Sequence, residues 1–354
     1  MHLERLAILV GAVTLTAAST VQAINFNLIP DAGTPQFAID GFSAAGDLWS
    51  SILADDVTVN IQIGFTSLGP NVIGSTGSAF IERSYTDVTQ ALALHRTSAD
   101  DFSSYAALQS GSSYNRLINH TSDNPAGPNS GTPYVDTMDR VGLTTANAKT
   151  LGLLAPSSSL DAVIRFSSDF SFDFNHNNVA PGKIDFIGAA AHEIGHALGF
   201  ISGVDDIDTF FGSDPGGGFS SNLIDLFRYS TLSLEKGNGF PDYTADQRDK
   251  YFSVDGGLTP VGSFANGINY GDGQQASHWK DNLGIGIMDP TAGYGETLNI
   301  SPTDVRAFDV LGYTAAPEPG VGELTVVGLL ALILFRKKRR QRSSVLLPDR
   351  QSAK

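Results

Sequence analysis

His192-Glu193-Ile194-Gly195-His196-Ala197-Leu198-Gly199-Phe200 is the stretch on which the reading of this chain turns. Two imidazoles four residues apart on an α-helix project from one face and can reach a single metal ion. The carboxylate of Glu193, next to the first imidazole, is placed to take a proton from an attacking water. Histidine is scarce, 7 in 354 residues, so a pair at this spacing around a glutamate is not what composition alone would produce. The alternative is a buried helix with two merely structural histidines. The spacing instead predicts a zinc-hydrolase helix, with His192 and His196 as ligands and Glu193 as general base.

The surroundings suit that helix. Residues 184–200 read as helical, with Asp185 as N-cap and Ala189, Ala190, Ala191, Ala197 and Leu198 as helix formers or small packing residues. Gly199 suits the helix end. Upstream, 24–29 reads as a short strand. Phe37, Ile39, Phe42, Ala45, Leu48, Trp49 and Ile52 recur at helical spacing over 37–53. Val57, Val59, Ile61, Ile63 and Phe65 alternate as a strand. Helices are expected over 85–95 and 102–108, and a strand over 162–174 running towards the active helix. The Ser-, Asn-, Gly- and Pro-rich stretch 110–137 reads as loop.

Beyond Gly203 glycine, serine and aspartate dominate up to Ala276, with one helical stretch near 223–229. Ser301-Pro302-Thr303-Asp304 opens a final helix with serine as N-cap and proline at the first helical position, and Gly312 ends it. Strands alternating with helices ahead of the histidine helix describe an α/β (α+β) fold. Its N-terminal lobe, 24–202, carries the zinc-binding helix, and a more irregular C-terminal lobe covers 203–316.

The ends of the chain carry separate signals. Residues 1–23 have a basic Arg5, an apolar run from Leu6 to Ala18 and the small-x-small triplet Val21-Gln22-Ala23, the pattern of a secretory signal peptide. At the other end Pro317-Glu318-Pro319 precedes a short apolar run, 324–335, and the basic cluster Arg336, Lys337, Lys338, Arg339, Arg340 and Arg342. The run is shorter than the roughly 20 residues of a stable span, and its basic flank belongs on the cytoplasmic side. Residues 317–342 resemble the PEP-CTERM sorting signal of Gram-negative bacteria. That resemblance implies an exosortase-type partner, transient residence of 324–335 in the inner membrane, and delivery to the cell surface, the extracellular matrix or the medium. An ordinary single-helix anchor is the alternative. No function is assigned to 343–354.

Residues 24–320 keep 13 of the 22 Lys and Arg and 34 of the 37 Asp and Glu, a net charge of −21. Such a surface repels nucleic acid. The chain has no cysteine, so disulfides and thiolate zinc ligands are both excluded.

Catalytic zinc takes three protein ligands and keeps one position open. In the compact metzincin pattern the third ligand lies six residues after the second histidine, where this chain has Ser202. Ser202 is a poor ligand. The remaining candidates are Asp205, Asp206 and Asp208 nearby, and His278, His176, His120 and His95 further away. Glu235 and Glu296 sit on no convincing helix. His278 stands out in Ala276-Ser277-His278-Trp279-Lys280, followed by Gly286-Ile287-Met288-Asp289-Pro290 and, later, Phe308-Asp309-Val310-Leu311-Gly312-Tyr313. With Ala197-Leu198-Gly199-Phe200 after the second histidine, these residues resemble the leishmanolysin type of metzincin. The likeness is specific over the active helix and 276–313 and only coarse before 160. It departs from the family in lacking cysteine, and the insertion 203–275 has no counterpart that can be aligned.

The resemblance implies a zincin/metzincin-like fold and a Zn²⁺ site of His192, His196 and His278. It places Met288 in an apolar turn beneath the metal and implies an exported endopeptidase acting on a protein or peptide substrate. Tyr294, six residues after Met288, is a candidate oxyanion donor, against the simpler role of a packed tyrosine. Two other functions fit the same residues: a zinc hydrolase of a non-peptide amide bond, and a non-catalytic surface or matrix protein with a vestigial site.

Overall fold

The computed structural model describes residues 23–236 and 239–316. The expected signal peptide (except Ala23) and the expected sorting tail lie outside the described residues. Among those described, no helix is long and apolar enough to cross a membrane.

The first half of the chain runs β1 (Asn25–Pro30), α1 (Gln36–Ser50), β2 (Thr58–Thr66), β3 (Gly74–Ser78), β4 (Phe80–Ser84), α2 (Tyr85–Leu94), α3 (Ala99–Ala107), β5 (Tyr114–Ile118), β6 (Tyr134–Met138), β7 (Arg140–Thr144) and α4 (Thr145–Thr150). It continues with β8 (Ala162–Ser167), β9 (Phe172–Asp173), β10 (Ile184–Asp185), α5 (Phe186–Leu198) and α6 (Val204–Thr209). After these come β11 (Arg228–Tyr229), α7 (Thr231–Lys236), β12 (Asp242–Tyr243), β13 (Lys250–Phe252), β14 (Gly262–Phe264) and α8 (Pro302–Val310). The architecture is mixed α/β.

The main sheet has the order β1-β2-β8-β3. Its first three strands are parallel and β3 joins antiparallel to β8 at the edge. In β2 the alternation seen in the sequence has a direct cause. Val59, Ile61 and Ile63 are fully buried in the main core. Asn60 between them bonds the loop carbonyls of Ser157 and Ser159. Helix α1 buries Ala38, Phe42, Ala45 and Trp49 and packs along α5. Trp49 Nε1 donates to Ala191 O at 2.8 Å, and Gly41 leaves room for the ring of Phe186. Burying such large side chains, each contributing about 1.5–3 kcal/mol, fixes α5 without help from a disulfide.

Three expectations need correction. The stretch 110–137 is not all loop: it contains β5 and the start of β6, and β5 lies between β12 and β6 in a three-stranded sheet. Its sequence, Tyr-Asn-Arg-Leu-Ile, hides the strand because Arg116 is buried. That guanidinium is satisfied by Asp136, by Ser221 Oγ and by the face of Tyr243, all supplied by distant residues. The strand expected over 162–174 is two strands, β8 and β9. The helical stretch near 223–229 is a single 3₁₀ segment, Leu223–Phe227, that runs into β11. The main core takes residues from both sides of Gly203, Trp49 meeting Phe308 edge-on at 4.5 Å. A smaller core holds Ile118, Val204, Ile207 and Tyr243.

Candidate metal centre

Helix α5 begins where Asp185, at the end of β10, turns its side chain to accept from Gly188 N at 3.1 Å. It ends at Gly199, whose φ of +120° lies in the region that favours glycine. Between these caps His192 and His196 face the same way. The third histidine, His278, comes from the far side of the 203–275 insertion. Its arrival depends on the base of that insertion. Ser202 N donates to Ser277 Oγ at 2.9 Å, so the chain leaves at Ser202 and returns beside it. Asp205 tightens the return by accepting from Ala276 N, Ser277 N and Ser277 Oγ.

The three Nε2 atoms form a near-equilateral triangle. His192–His196 is 3.1 Å, and His278 is 3.2 Å from each of the others. Each ring turns its other nitrogen to a backbone carbonyl. His192 Nδ1 donates to Ile287 O (2.7 Å), His196 Nδ1 to Phe200 O (2.8 Å) and His278 Nδ1 to Gln275 O (3.2 Å). A carbonyl can only accept, so each proton sits on Nδ1 and each Nε2 presents a bare lone pair. Three lone pairs aimed at one point cannot bond one another; a cation among them satisfies all three. These atoms form the one possible metal-binding group of three or more such side chains among the described residues. Carbonyl partners on the distal nitrogen are also what orients histidine ligands at metal sites.

Burial sets the electrostatics. Burial, and then His192, push the His196 imidazole down to about 3. His278 is pushed well below the ordinary histidine range by burial and by both other imidazoles. Both stay neutral and available as ligands. Glu193 is raised by burial, against the opposing effects of His192 and of a hydrogen bond from Thr76. A raised carboxyl is a better proton acceptor near neutral pH than an exposed one. All four side chains line an open cleft of about 860 Å³ that also runs along β3.

Met288 is fully buried directly beneath α5, where its Sδ lies 2.4 Å from the position a Cβ on Gly195 would take. The other histidines and aspartates considered as ligands have different work. His176 Nδ1 pairs with Asp185, His120 stacks on Tyr270 at 3.9 Å, and His95 follows the end of α2. Asp208 accepts from the backbone of Asn269 and Tyr270, and Asp206 lines the cleft as an exposed residue. Tyr294 is 65% exposed and does not line the cleft, so the structure does not bring it to the site.

Three residues near the centre give no signal of a role there in the sequence. Thr76 Oγ1 donates to Glu193 Oε2 at 2.6 Å, from a strand whose Gly-Ser-Thr-Gly-Ser sequence shows no apolar alternation. Gly74 on the same strand faces Glu193 Oε1. Asp304, noticed only as part of a helix start, accepts from Trp279 Nε1 and Ile287 N, both at 2.8 Å. Scans against protein-family models, curated proteins and solved structures return no match.

Proposed function

We propose that this chain is an exported zinc-dependent endopeptidase of metzincin type, most like the leishmanolysins. The observation that carries the proposal is the triangle of bare Nε2 atoms beside the half-buried Glu193, all lining one open cleft. Three nitrogens bound to one tetrahedral Zn²⁺ at about 2.0–2.1 Å stand about 3.3 Å apart, close to the 3.1–3.2 Å found here. An all-imidazole donor set of His192, His196 and His278 would suit zinc better than calcium or magnesium, which take oxygen ligands. The ion supplies Lewis acidity, lowering the pKa of water and polarising a carbonyl.

The chain's own residues supply the rest. Glu193 accepts the proton of the attacking water as the C–O bond forms. It returns that proton to the amide nitrogen as the C–N bond breaks. The cleft runs along β3, which among the described residues is an edge strand, and an extended peptide can add to it as a further strand. That mode of binding favours peptides over other amides. Zinc identity, peptidase activity, export past the inner membrane and sorting by an exosortase are parts of this one proposal, the last two resting on the expected signals at 1–23 and 317–342.

Metal analysis of purified protein with a chelator-sensitive casein assay tests the reading. Glu193→Gln should keep one zinc per chain and lose at least about 10²-fold in kcat. His278→Ala should lose most of its zinc. Full occupancy in the His278 variant, or casein cleavage that ignores both chelator and Glu193→Gln, would overturn the assignment.

A further inference from the structure

The edge strand β3 presents residues 74, 76 and 78 to α5, while 75 and 77 are exposed. All three inward positions touch the metal-binding helix or leave space for it. Ser78 Oγ donates to His196 O at 3.3 Å. Thr76 Oγ1 lies 2.6 Å from Glu193 Oε2 and 3.0 Å from Glu193 O. A Cβ at Gly74 would come within 3.1 Å of Glu193 Oε1 and 2.9 Å of the Phe166 ring. One carboxylate oxygen is therefore tethered, and the other lies over a gap that glycine leaves. The tether is not needed to attach the strand or the helix. β3 is laddered to β8 through its backbone, and α5 is anchored to α1 through Trp49.

We propose that Thr76 is a positioning residue for Glu193, its hydroxyl holding Oε2 so that Oε1, over Gly74, is the oxygen that exchanges the proton. The inference rests on the peptidase reading above. A threonine hydroxyl has one hydrogen to donate, and the shorter contact gives it to the carboxylate. A free glutamate side chain loses rotamer entropy when it is fixed. Thr76 makes that ordering part of the folded state instead of part of the reaction barrier. A peptide added to β3 is then aligned by the same strand that holds the base, so one element supports both reaction partners.

The test compares Thr76→Val, which keeps the shape and loses the hydroxyl, with Thr76→Ser, which keeps the hydroxyl. Both are measured for metal stoichiometry, metal affinity by chelator competition, KM and kcat. Thr76→Val should bind one metal with affinity within about twofold, keep KM within about twofold, and lose about tenfold or more in kcat, part of the general-base contribution. Thr76→Ser should recover most of that loss. An unchanged kcat in Thr76→Val overturns the proposal. So does a serine variant as slow as the valine one, or a valine variant that loses its metal, because each points to packing rather than to the hydroxyl. If the parent chain is active, Glu193→Gln is inactive and Thr76→Val is unaffected, the Thr76 role fails alone. A parent without chelator-sensitive hydrolysis removes the peptidase reading, and this inference with it.

Discussion

Each imidazole of the centre meets a backbone carbonyl on one side and its two neighbours on the other, and this pairing decides which nitrogen is free. A surface histidine chooses its tautomer from moment to moment; here Ile287, Phe200 and Gln275 make the choice. Gly195 is constrained just as closely. It lies between the two ligand histidines, and its missing side chain lets Met288 and Trp49 pack against the helix backbone. Gly195→Ala would place a methyl group 2.4 Å from Met288 Sδ and 3.4 Å from Trp49 Cζ2. Overpacking of this kind costs about 1–3 kcal/mol. Denaturant titration of Gly195→Ala should show that loss, and adding Met288→Ala should return part of it, a coupling that separated sites do not show. Strict additivity would mean that the two side chains do not meet.

Elements bring these residues together through their ends. Helix α5 is set by Asp185 and Gly199, and the insertion is closed by the Ser202–Ser277 contact. Helix α8 acts through its capping box. Asp304 accepts from Ser301 N at 2.7 Å, as a cap does, and also from Ile287 N and Trp279 Nε1. Gly286 admits this carboxylate, since a Cβ there would lie 2.2 Å from Asp304 Oδ2. Because Ile287 O holds His192 Nδ1, the first turn of the last helix orients the first ligand of the centre. Asp304→Asn keeps the size and removes an acceptor. Metal affinity measured by chelator competition should fall by up to about 10-fold, the lower end of the effect of losing the outer partner itself, because Ile287 O still faces His192. Unchanged affinity would reduce Asp304 to a helix cap. Strand β3 shows the limit of sequence periodicity at this scale. Gly74, Thr76 and Ser78 alternate inward as residues of a strand must, but small and hydroxylic side chains give no hydrophobic signal.

Over the whole molecule the candidate metal centre sits on an extensive buried core. Phe42, Trp49, Phe166, Phe186, Phe308 and Tyr313 are buried in the main core and join α1, α5, β8 and α8. Removing the metal with a chelator should therefore lower the melting temperature by on the order of 5–10 °C, while far-UV circular dichroism stays folded at 25 °C. Collapse to an unfolded spectrum would show that the site is a structural staple, as in small zinc domains. With no cysteine, the same curves should be indifferent to reductant.

What the sequence determined by itself was local or strongly patterned. The helix from Asp185 to Gly199 is written in its caps and alanines, and the paired imidazoles follow from a spacing of four. His278 was distinguished among the histidines by the residues around it, and α8 by Ser301 and Pro302. What only the tertiary structure decided required partners from far along the chain. Arg116 is a strand residue because Asp136, Ser221 and Tyr243 enclose it. Tyr294 is left outside the cleft, and Asp205 is a clamp on the ligand loop instead of a ligand. Thr76 reaches Glu193 across 117 residues. Periodicity records which way a side chain faces. Which atom it meets depends on how the sheet, the helix and the returning loop pack together, and no local pattern carries that information.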